Sequence, residues 1–353
     1  MRTRKIIPIL LITALLLSLL AACSPAPQPT ATPEASPTPT VQATPEATPE
    51  STPEPTPEPT PRPDTKPLIW EVRAKEGDGL IYLFGSIHVG GEGLYPLPET
   101  IIEAYDSSEI LAVEVDITGI YTNVLTQLAL THRLMYPEGD DITKHLSEET
   151  YELAVDFLKK NGQYLPVYDK YNIYFWSSLV DAIALSLAEL DAGGGIDSYF
   201  LTKAHQDGKE IYEIESLVFQ LDLLSKQPDL LQDYMLRSSI LHMDLAIDNL
   251  RALFDAYRRG DEETLTELVL SDVEDYELEE LPAEVAEELM RMSEDYFNQM
   301  YTERNIKMAE CAEQFLNEGS KVFYVVGVAH MVGEGGIVNL LREAGYTVTQ
   351  IVY

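Results

Sequence analysis

Two short apolar runs, one near the start of the folded part of the chain and one near its end, are each followed by glycine. Residues 80–84 read Leu-Ile-Tyr-Leu-Phe, and residues 322–326 read Val-Phe-Tyr-Val-Val. Runs of this length that are rich in β-branched and aromatic residues predict buried strands. Four further strands are predicted from similar runs, at residues 68–73, 110–115, 210–215 and 346–353.

Between these runs, apolar residues recur with helical spacing. Ser147 is placed to cap the helix that begins at Glu148, and Gly162 lies just past the end of that helix. Strands that alternate with helices predict an α/β fold with a largely parallel or mixed central sheet and flanking helices, and the helix-rich stretch 117–227 predicts a helical insertion over one end of it. The predicted helices cover residues 98–106, 148–160, 174–190, 196–205, 229–258, 282–317 and 337–344.

The two apolar runs lead into the same nine-residue frame, G-x-x-H-x-x-G-E-G, which begins once at Gly85 and once at Gly327. Each frame places a histidine, His88 or His330, just past a predicted strand, and ligands of open α/β sheets bind at the carboxyl ends of strands. The two glycines are expected to support turns, because glycine allows sharp bends and close approach. A lone histidine at a strand end is more often structural, but the repeated frame predicts two similar turns that form one site.

Two other predicted strands end in a carboxylate. Glu114 follows the apolar run 110–113, and Glu215 closes the strand that begins at Glu210. A carboxylate at the tip of an apolar strand is costly to bury unless it is paired or binds a cation. These two glutamates therefore join the histidines as candidate site residues.

The first 66 residues differ in composition from the rest. Residues 1–22 are typical of a signal peptide, with basic residues before an apolar stretch that is short for a membrane span. They end at Cys23 in a sequence that resembles the lipobox of bacterial lipoproteins, whose cysteine carries acyl chains such as palmitate. The alternative is an ordinary signal peptide with a chance cysteine. Residues 23–66 comprise this cysteine and a linker rich in Pro, Thr and Glu, which is predicted to be disordered, and residues 67–353 form the folded domain.

The predicted location is therefore the extracytoplasmic face of the cell membrane, with a lipid anchor at Cys23. The formal net charge of −35 at pH 7 argues against a nucleic-acid partner, because such partners need a basic surface. Cys311 is the second of two cysteines, so a lipidated Cys23 leaves no intramolecular disulfide, and the domain is expected to be held by its core alone.

Several blocks of the chain, in order, resemble the TraB/GumN family, which includes the PrgY proteins and is related to the Tiki metalloproteases. The resemblance covers residues 68–353 and implies a fold similar to that of Tiki proteins, erythromycin esterase and the haem-binding ChaN proteins. Those scaffolds do different work, so the fold alone does not assign a function. The matching blocks are residues 82–90 with 95–98, 111–116, 195–200, 214–216, and 302–305 with 326–333.

The resemblance also implies a Tiki-like site with a divalent metal ion. The residues at the matching positions are His88, His330 and Glu114 as ligands and Arg304 as a further site residue, with Glu215 as an additional candidate. Two imidazoles and one carboxylate leave a position open for water, which is typical of catalytic metal sites. Glu114 or Glu215 is then a candidate general base, and Arg304 would bind a substrate carboxylate or stabilise a developing oxyanion. The sequence leaves zinc, manganese and cobalt open.

The expected function is a membrane-anchored, divalent-metal-dependent hydrolase that acts on a peptide or protein substrate. The alternative is a non-catalytic lipoprotein that binds or sequesters a peptide or a haem-like ligand on the same scaffold. Other catalytic motifs, such as H-E-x-x-H, G-x-S-x-G and the P-loop, do not occur in the sequence. The remaining histidines lie in helical or polar stretches and are interpreted as structural or surface residues: His132, His145, His205 and His242.

Overall fold

A computed structural model describes residues 5–6, 65–118, 123–270, 273–274, 278 and 281–353. Cys23, the predicted signal peptide apart from Lys5 and Ile6, and the predicted linker up to residue 64 lie outside the described residues. Among the helices that are described, none combines the length and the apolar character that a membrane span requires.

A six-stranded mixed sheet forms the centre of the domain. Its strands lie in the order β4–β3–β5–β2–β1–β6, with residue ranges β1 Ile69–Arg73, β2 Leu80–Ser86, β3 Ile110–Val113, β4 Glu210–Glu213, β5 Lys321–Gly327 and β6 Thr347–Gln350. Strands β4, β3, β5 and β2 are parallel, whereas β1 is antiparallel to both of its neighbours. The predicted α/β class with a parallel or mixed sheet is confirmed. Outside this sheet, Lys5–Ile6 and Val273–Glu274 form a two-residue antiparallel pair.

Helices occupy most of the remaining described chain. Helix α3 begins after Ser147, whose hydroxyl accepts a hydrogen bond from the N–H of Thr150, as the sequence predicted. Short 3₁₀ turns lie at Ile142–Lys144 and Pro166–Lys170. The helices are α1 Glu99–Ser107, α2 Val124–Arg133, α3 Glu148–Lys160, α4 Ile173–Leu187, α5 Ile196–Asp207, α6 Leu217–Ser225, α7 Asp229–Leu241, α8 Met243–Arg259, α9 Glu262–Leu270, α10 Ala283–Phe297, α11 Glu303–Glu318, α12 Val328–Met331 and α13 Ile337–Glu343.

The sheet is covered by helices on both faces. The ring of Phe323 in β5 lies 4.8 Å from that of Phe200 in α5 and 5.7 Å from that of Tyr105 in α1. The next residue, Tyr324, points to the opposite face, as successive strand residues must. Its hydroxyl donates to the carbonyl of Met308 in α11 over 2.8 Å. Helices α1 and α5 therefore pack on one face of β5, and α11 packs on the other.

Two long helices that the periodicity predicts are interrupted in the structure. The helix expected over 229–258 divides into α7 and α8 at His242, which has φ −108° and ψ 31°. The helix expected over 282–317 contains a π-helical turn, Asn298–Thr302, between α10 and α11. Neither break contains glycine or proline, and the apolar spacing continues across both. The sequence therefore gives no sign that the helices are interrupted.

Candidate functional site

The register of the sheet brings the predicted site residues to one edge. Strands β2 and β5 are parallel neighbours in which Ser86 lies opposite Gly327, so His88 and His330 follow adjacent strand ends. Strand β3 flanks β5 on its other side, and β4 lies beyond it. The predicted strands that contain the two glutamates end earlier than expected, at Val113 and Glu213, so Glu114 and Glu215 lie just past the sheet. The N–H of Glu215 donates to the carbonyl of Glu114 over 2.9 Å.

The two histidine frames do not form similar turns, contrary to the expectation from their shared pattern. After β5 the second frame turns into the short helix α12, which contains His330. The first frame forms no helix: it bends at His88, and the backbone of Gly90 exchanges two hydrogen bonds with Asp191, at 2.7 and 2.9 Å. Tertiary pairing with the loop before α5 therefore decides the conformation of the first frame.

Of the two supporting glycines, only Gly85 is required by close approach, and neither makes a sharp bend. Gly85 lies inside β2, and a side chain there would place Cβ only 2.9 Å from Cγ2 of Val328. Gly327 is the last residue of β5, and its N–H donates to Oε1 of Glu114 over 2.8 Å. A Cβ at Gly327 would make only ordinary contacts, so this hydrogen bond does not itself require glycine.

Arg304 of α11 links the two glutamates beneath the histidines. Its Nη2 donates to Oε2 of Glu114 over 2.7 Å and to Oε2 of Glu215 over 2.9 Å, and its Nε donates to Oε1 of Glu215 over 2.8 Å. Nη1 donates to the carbonyl of Met300 over 3.2 Å. Gln220 of α6 completes the cluster, because its Nε2 donates to both carboxylates over 2.9 Å. These directed hydrogen bonds give both buried carboxyl groups a partner in the guanidinium, which compensates part of the cost of burying charge.

Arg304 is buried against protein carboxylates, whereas the role expected for it was to bind a substrate carboxylate or a developing oxyanion. The residue is 4% exposed, and its N–H groups are directed at Glu114, Glu215 and a backbone carbonyl. Burial alone would lower the pKa of Arg304, but the two carboxylates outweigh it and raise the pKa. Conversely, burial alone would raise the pKa of Glu114, and Arg304 outweighs it and lowers the pKa. Arg304 therefore keeps Glu114 in its ionised form.

His88 is oriented by a carboxylate that is bound at both oxygens. Nδ1 of His88 lies 2.8 Å from Oδ2 of Asp197, and the hydroxyl of Ser86 donates to Oδ1 of the same carboxylate over 2.7 Å. Because a carboxylate only accepts, Nδ1 carries the proton and Nε2 is directed away from Asp197. Burial opposes the charged form of the imidazole, but Asp197 outweighs it and raises the pKa of His88 to about 9.

His330 is oriented by a neutral amide. Its Nδ1 lies 2.6 Å from Oδ1 of Asn305, and Nδ2 of Asn305 donates to the carbonyl of Gly335 over 2.9 Å. The bond to Gly335 fixes which end of the amide faces the ring, so Nδ1 is the protonated nitrogen here too. Burial, together with the positive charge of Arg304, lowers the pKa of His330 to about 3. His330 is therefore a neutral imidazole with its Nε2 lone pair available.

Atoms of Glu114, His88 and His330 lie around a common point beside Gly327. A Cβ on that glycine would lie 3.4 Å from Oε1 of Glu114, 3.8 Å from Nε2 of His88 and 3.7 Å from Cδ2 of His330. Nε2 of His330 lies 4.0 Å from Oε1 of Glu114. Two ligands of a tetrahedral zinc ion at about 2.0–2.2 Å would lie roughly 3.3–3.5 Å apart. In the part of the chain that the structure describes, no three His, Cys, Asp or Glu side chains stand close enough to form a ready metal site.

The three side chains fit a divalent metal in their chemistry and orientation. Nε2 of His330 and Oε1 of Glu114 would have to move slightly closer together to share one ion. Imidazole nitrogens and a carboxylate suit zinc, manganese or cobalt. Ligating histidines usually donate their other ring N–H to a carboxylate or another acceptor, which is what His88 and His330 do. Two of these partners, Asp197 and Asn305, were not among the predicted site residues. They lie within matching blocks of the family resemblance, at 195–200 and 302–305, which is the signal that could have found them. Nothing comparable pointed to Gln220.

Fold and site together define an α/β protein with paired histidines and a buried Glu–Arg cluster at the carboxyl edge of its sheet. The sequence model of the TraB/PrgY/gumN family matches residues 68–350, and the chain belongs to this family.

Among its relatives is the metalloprotease TIKI2 of Danio rerio, which is 24% identical over 322 residues that cover 79% of this chain and 60% of that protein. The uncharacterized protein YbaP of Escherichia coli strain K12 is 24% identical over 153 residues, which cover 43% of this chain and 54% of YbaP. An uncharacterized protein of Treponema pallidum is 23% identical over 160 residues, which cover 45% of this chain and 46% of that protein. The chain thus spans about half to three fifths of the length of these relatives. No solved structure matches it.

Proposed function

We propose that this protein is a divalent-metal-dependent hydrolase that cleaves amide bonds in a peptide or protein substrate. The observation that carries the proposal is the orientation of the two histidines. Asp197 and Asn305 hold Nδ1 of His88 and of His330, so both rings keep Nε2 for another partner near Glu114. Membership in a family with a relative named as a metalloprotease supports the same reaction class.

The residues that would hold the metal are His88, His330 and Glu114. A bound divalent ion would supply Lewis acidity, which polarises a carbonyl and makes water a better nucleophile. Arg304 keeps Glu114 ionised, and Asp197 and Asn305 fix the tautomers of the two imidazoles.

Hydrolysis adds the oxygen of water to the carbonyl carbon and breaks the C–N bond, and the leaving amine gains a proton. The proton that the water loses needs an acceptor, for which Glu114 and Glu215 are the candidates. Both carboxylates accept hydrogen bonds from Arg304, which weakens Glu114 as a base.

Elemental analysis of the purified protein, with cleavage of a peptide library in the presence and absence of a chelator, tests this proposal. We expect about one metal ion per chain, chelator-sensitive cleavage, and loss of both in His88→Ala and His330→Ala. His145→Ala is the matched control, because that histidine bonds Asp229 and Asp140 away from the site and should keep both properties. Equal metal content in wild type and the two site variants would contradict the metal assignment.

A second candidate function is the non-catalytic binding or sequestering of a peptide or a haem-like ligand in the same place. It is favoured by one observation, the lack of a ready three-ligand metal set among the described residues. Binding of haem or of library peptides without cleavage, whatever the metal content, would select this candidate over the hydrolase.

We further propose that the protein is anchored by lipid at Cys23 to the extracytoplasmic face of the cell membrane. The support lies in the sequence before residue 24, where a basic and then apolar stretch leads to a lipobox-like Cys23. Cys23→Ala should move the protein from the membrane fraction to the soluble fraction. Retention of that variant in the membrane fraction would rule out the anchor.

A further inference from the structure

Tyr301 is a buried tyrosine whose hydroxyl has no hydrogen-bond partner among the described residues. The residue lies in the π-helical turn Asn298–Thr302, directly before helix α11, and is 6% exposed. Its ring centroid lies 5.6 Å from that of His330 and 4.9 Å from that of Phe297. Single π turns inside helices are often found at functional sites. The irregular turn therefore places an aromatic ring directly against one of the two site histidines.

The hydroxyl of Tyr301 is not fully enclosed by the described residues, although the ring packs against His330. Buried tyrosine hydroxyls usually find a hydrogen-bond partner, but within the described residues this one has none. Four side-chain polar atoms of the described residues are fully enclosed and have no partner: Tyr174 Oη, Gln220 Oε1, Arg258 Nε and Ser293 Oγ. The hydroxyl of Tyr301 is not one of these four. The small exposed part of Tyr301 thus includes its hydroxyl, which can meet a ligand at the site.

Hydrolysis of an amide needs a donor for the carbonyl oxygen as it gains negative charge. The residue expected from the sequence to fill this role, Arg304, directs its N–H groups at Glu114, Glu215 and the carbonyl of Met300. The N–H groups of Arg304 are therefore already hydrogen-bonded within the protein. Tyr301 lies in the turn before α11, and its O–H has no partner among the described residues.

We propose that the hydroxyl of Tyr301 donates a hydrogen bond to the carbonyl oxygen of the substrate, and that this bond strengthens as the oxygen becomes an oxyanion. The inference rests on the proposed hydrolase function. When the oxygen of water bonds to the carbonyl carbon, the π electron pair of the C=O bond moves to the carbonyl oxygen, where the O–H of Tyr301 stabilises it. Tyr301 keeps its proton throughout. A tyrosine hydroxyl has an ordinary pKa of about 10, so the donor is present at neutral pH.

Tyr301→Phe removes the donor and keeps the ring against His330. On a peptide that the zinc-loaded wild type cleaves, we expect kcat to fall about 10²-fold while KM changes little, because the bond matters most in the transition state. The matched control is Tyr346→Phe, because Tyr346 is 7% exposed and its hydroxyl bonds Glu313 near the far edge of the sheet. That control should keep the wild-type kcat. Wild-type kcat in Tyr301→Phe would overturn the proposal.

A second measurement does not depend on turnover. Acetohydroxamate carries a carbonyl oxygen, and its affinity for the zinc-loaded protein can be measured by calorimetry. We expect Tyr301→Phe to weaken its binding about 3- to 10-fold, the effect of one lost hydrogen bond, and Tyr346→Phe to leave it unchanged. If the wild type cleaves no peptide, the proposed hydrolase function fails and this comparison alone decides on Tyr301. Equal affinity in wild type and Tyr301→Phe, or no binding by the wild type, would then overturn the role of the hydroxyl.

Discussion

Nδ1 of His330 lies 2.6 Å from Oδ1 of Asn305, whose Nδ2 donates to the carbonyl of Gly335 in the same histidine frame. This arrangement differs from that of His88, which has a carboxylate, Asp197, in the corresponding place. An amide orients the ring as well as a carboxylate does, but it adds no charge that would stabilise an imidazolium. His330 is therefore held as a neutral ligand. His88 also carries a proton on Nε2, and a metal ion would have to displace that proton.

Asn305→Ala should weaken metal binding without unfolding the protein. Zinc affinity should fall about 10- to 100-fold, the usual effect of losing the partner of a ligating histidine. The free energy of unfolding should fall by about 1–3 kcal/mol, because the buried N–H of His330 loses its acceptor. Calorimetric titration and urea denaturation measure the two effects. Asn339→Ala is the control, since Asn339 bonds the carbonyl of Gly333 but not His330; unchanged zinc affinity in Asn305→Ala would refute the positioning role.

The proton on His88 predicts a pH dependence for the metal-free protein. The pKa of His88 is raised from 6.5 to about 9 in the folded state, where burial is outweighed by Asp197. A raised pKa contributes stability that is fully present below about pH 6.5 and is lost as the pH rises through about 9. We therefore expect the free energy of unfolding, measured with chelator present, to fall between about pH 6.5 and 9.

Asp197→Asn isolates this contribution from that of other histidines. The pKa of His145, for example, is also raised: burial opposes the charged form, but hydrogen bonds to Asp229 and Asp140 outweigh it. The variant replaces the carboxylate beside His88 with a neutral amide and should flatten the decline in stability. Identical slopes for wild type and variant across that window would show that Asp197 does not hold the proton on His88.

The sequence allowed us to predict that the two histidines lie close together, but it did not identify the residues that hydrogen-bond to them. Two frames that follow parallel strands must reach the same edge once those strands are neighbours, so the shared edge of His88 and His330 could be foreseen. The conformation of each frame depends on contacts made elsewhere, such as the pairing of Gly90 with Asp191, and a shared pattern does not contain that information. Asp197 likewise reaches His88 only because α5 packs beside β2.

The interrupted helices show the same limit. Apolar spacing continues through the π turn Asn298–Thr302, yet this turn precedes Arg304 and carries Tyr301. Periodicity reports which residues face the core, but it does not report an extra residue within one turn. The burial of Arg304 follows from the position of α11 on the sheet, and so the sequence could place this residue near the site but not beneath it.

Arg304→Ala should be strongly destabilising, because it leaves Glu114 and Glu215 buried without their cation. Removing one partner of a buried ion pair typically costs about 3–5 kcal/mol. Arg133→Ala is the control: Arg133 also binds a carboxylate through two nitrogens, those of Asp222 at 2.7 Å, but its side chain is 39% exposed. That exposed pair should contribute about 1 kcal/mol or less. Urea denaturation of the metal-free proteins at pH 7 measures both, and similar losses in the two variants would contradict the buried network.

Gly327→Ala tests whether the point beside this glycine is where a ligand binds. Its φ of −49° and ψ of 136° suit alanine, and the new methyl group would lie 3.4 Å from Oε1 of Glu114 and 3.8 Å from Nε2 of His88, which is ordinary contact. The free energy of unfolding should therefore change by less than about 1 kcal/mol. Zinc affinity should fall at least about tenfold, because the methyl group fills the space on which the candidate ligand atoms converge.

The matched control is Gly335→Ala in the same frame, because a Cβ at Gly335 meets nothing within 4 Å and the residue does not adopt positive φ. It should leave zinc affinity and unfolding unchanged. If Gly327→Ala bound zinc as tightly as this control, the metal would have to lie away from the atoms of Glu114 and His88 that face Gly327. The two histidines would then need an explanation that does not involve a shared ion, such as direct binding of a ligand by their Nε2 atoms.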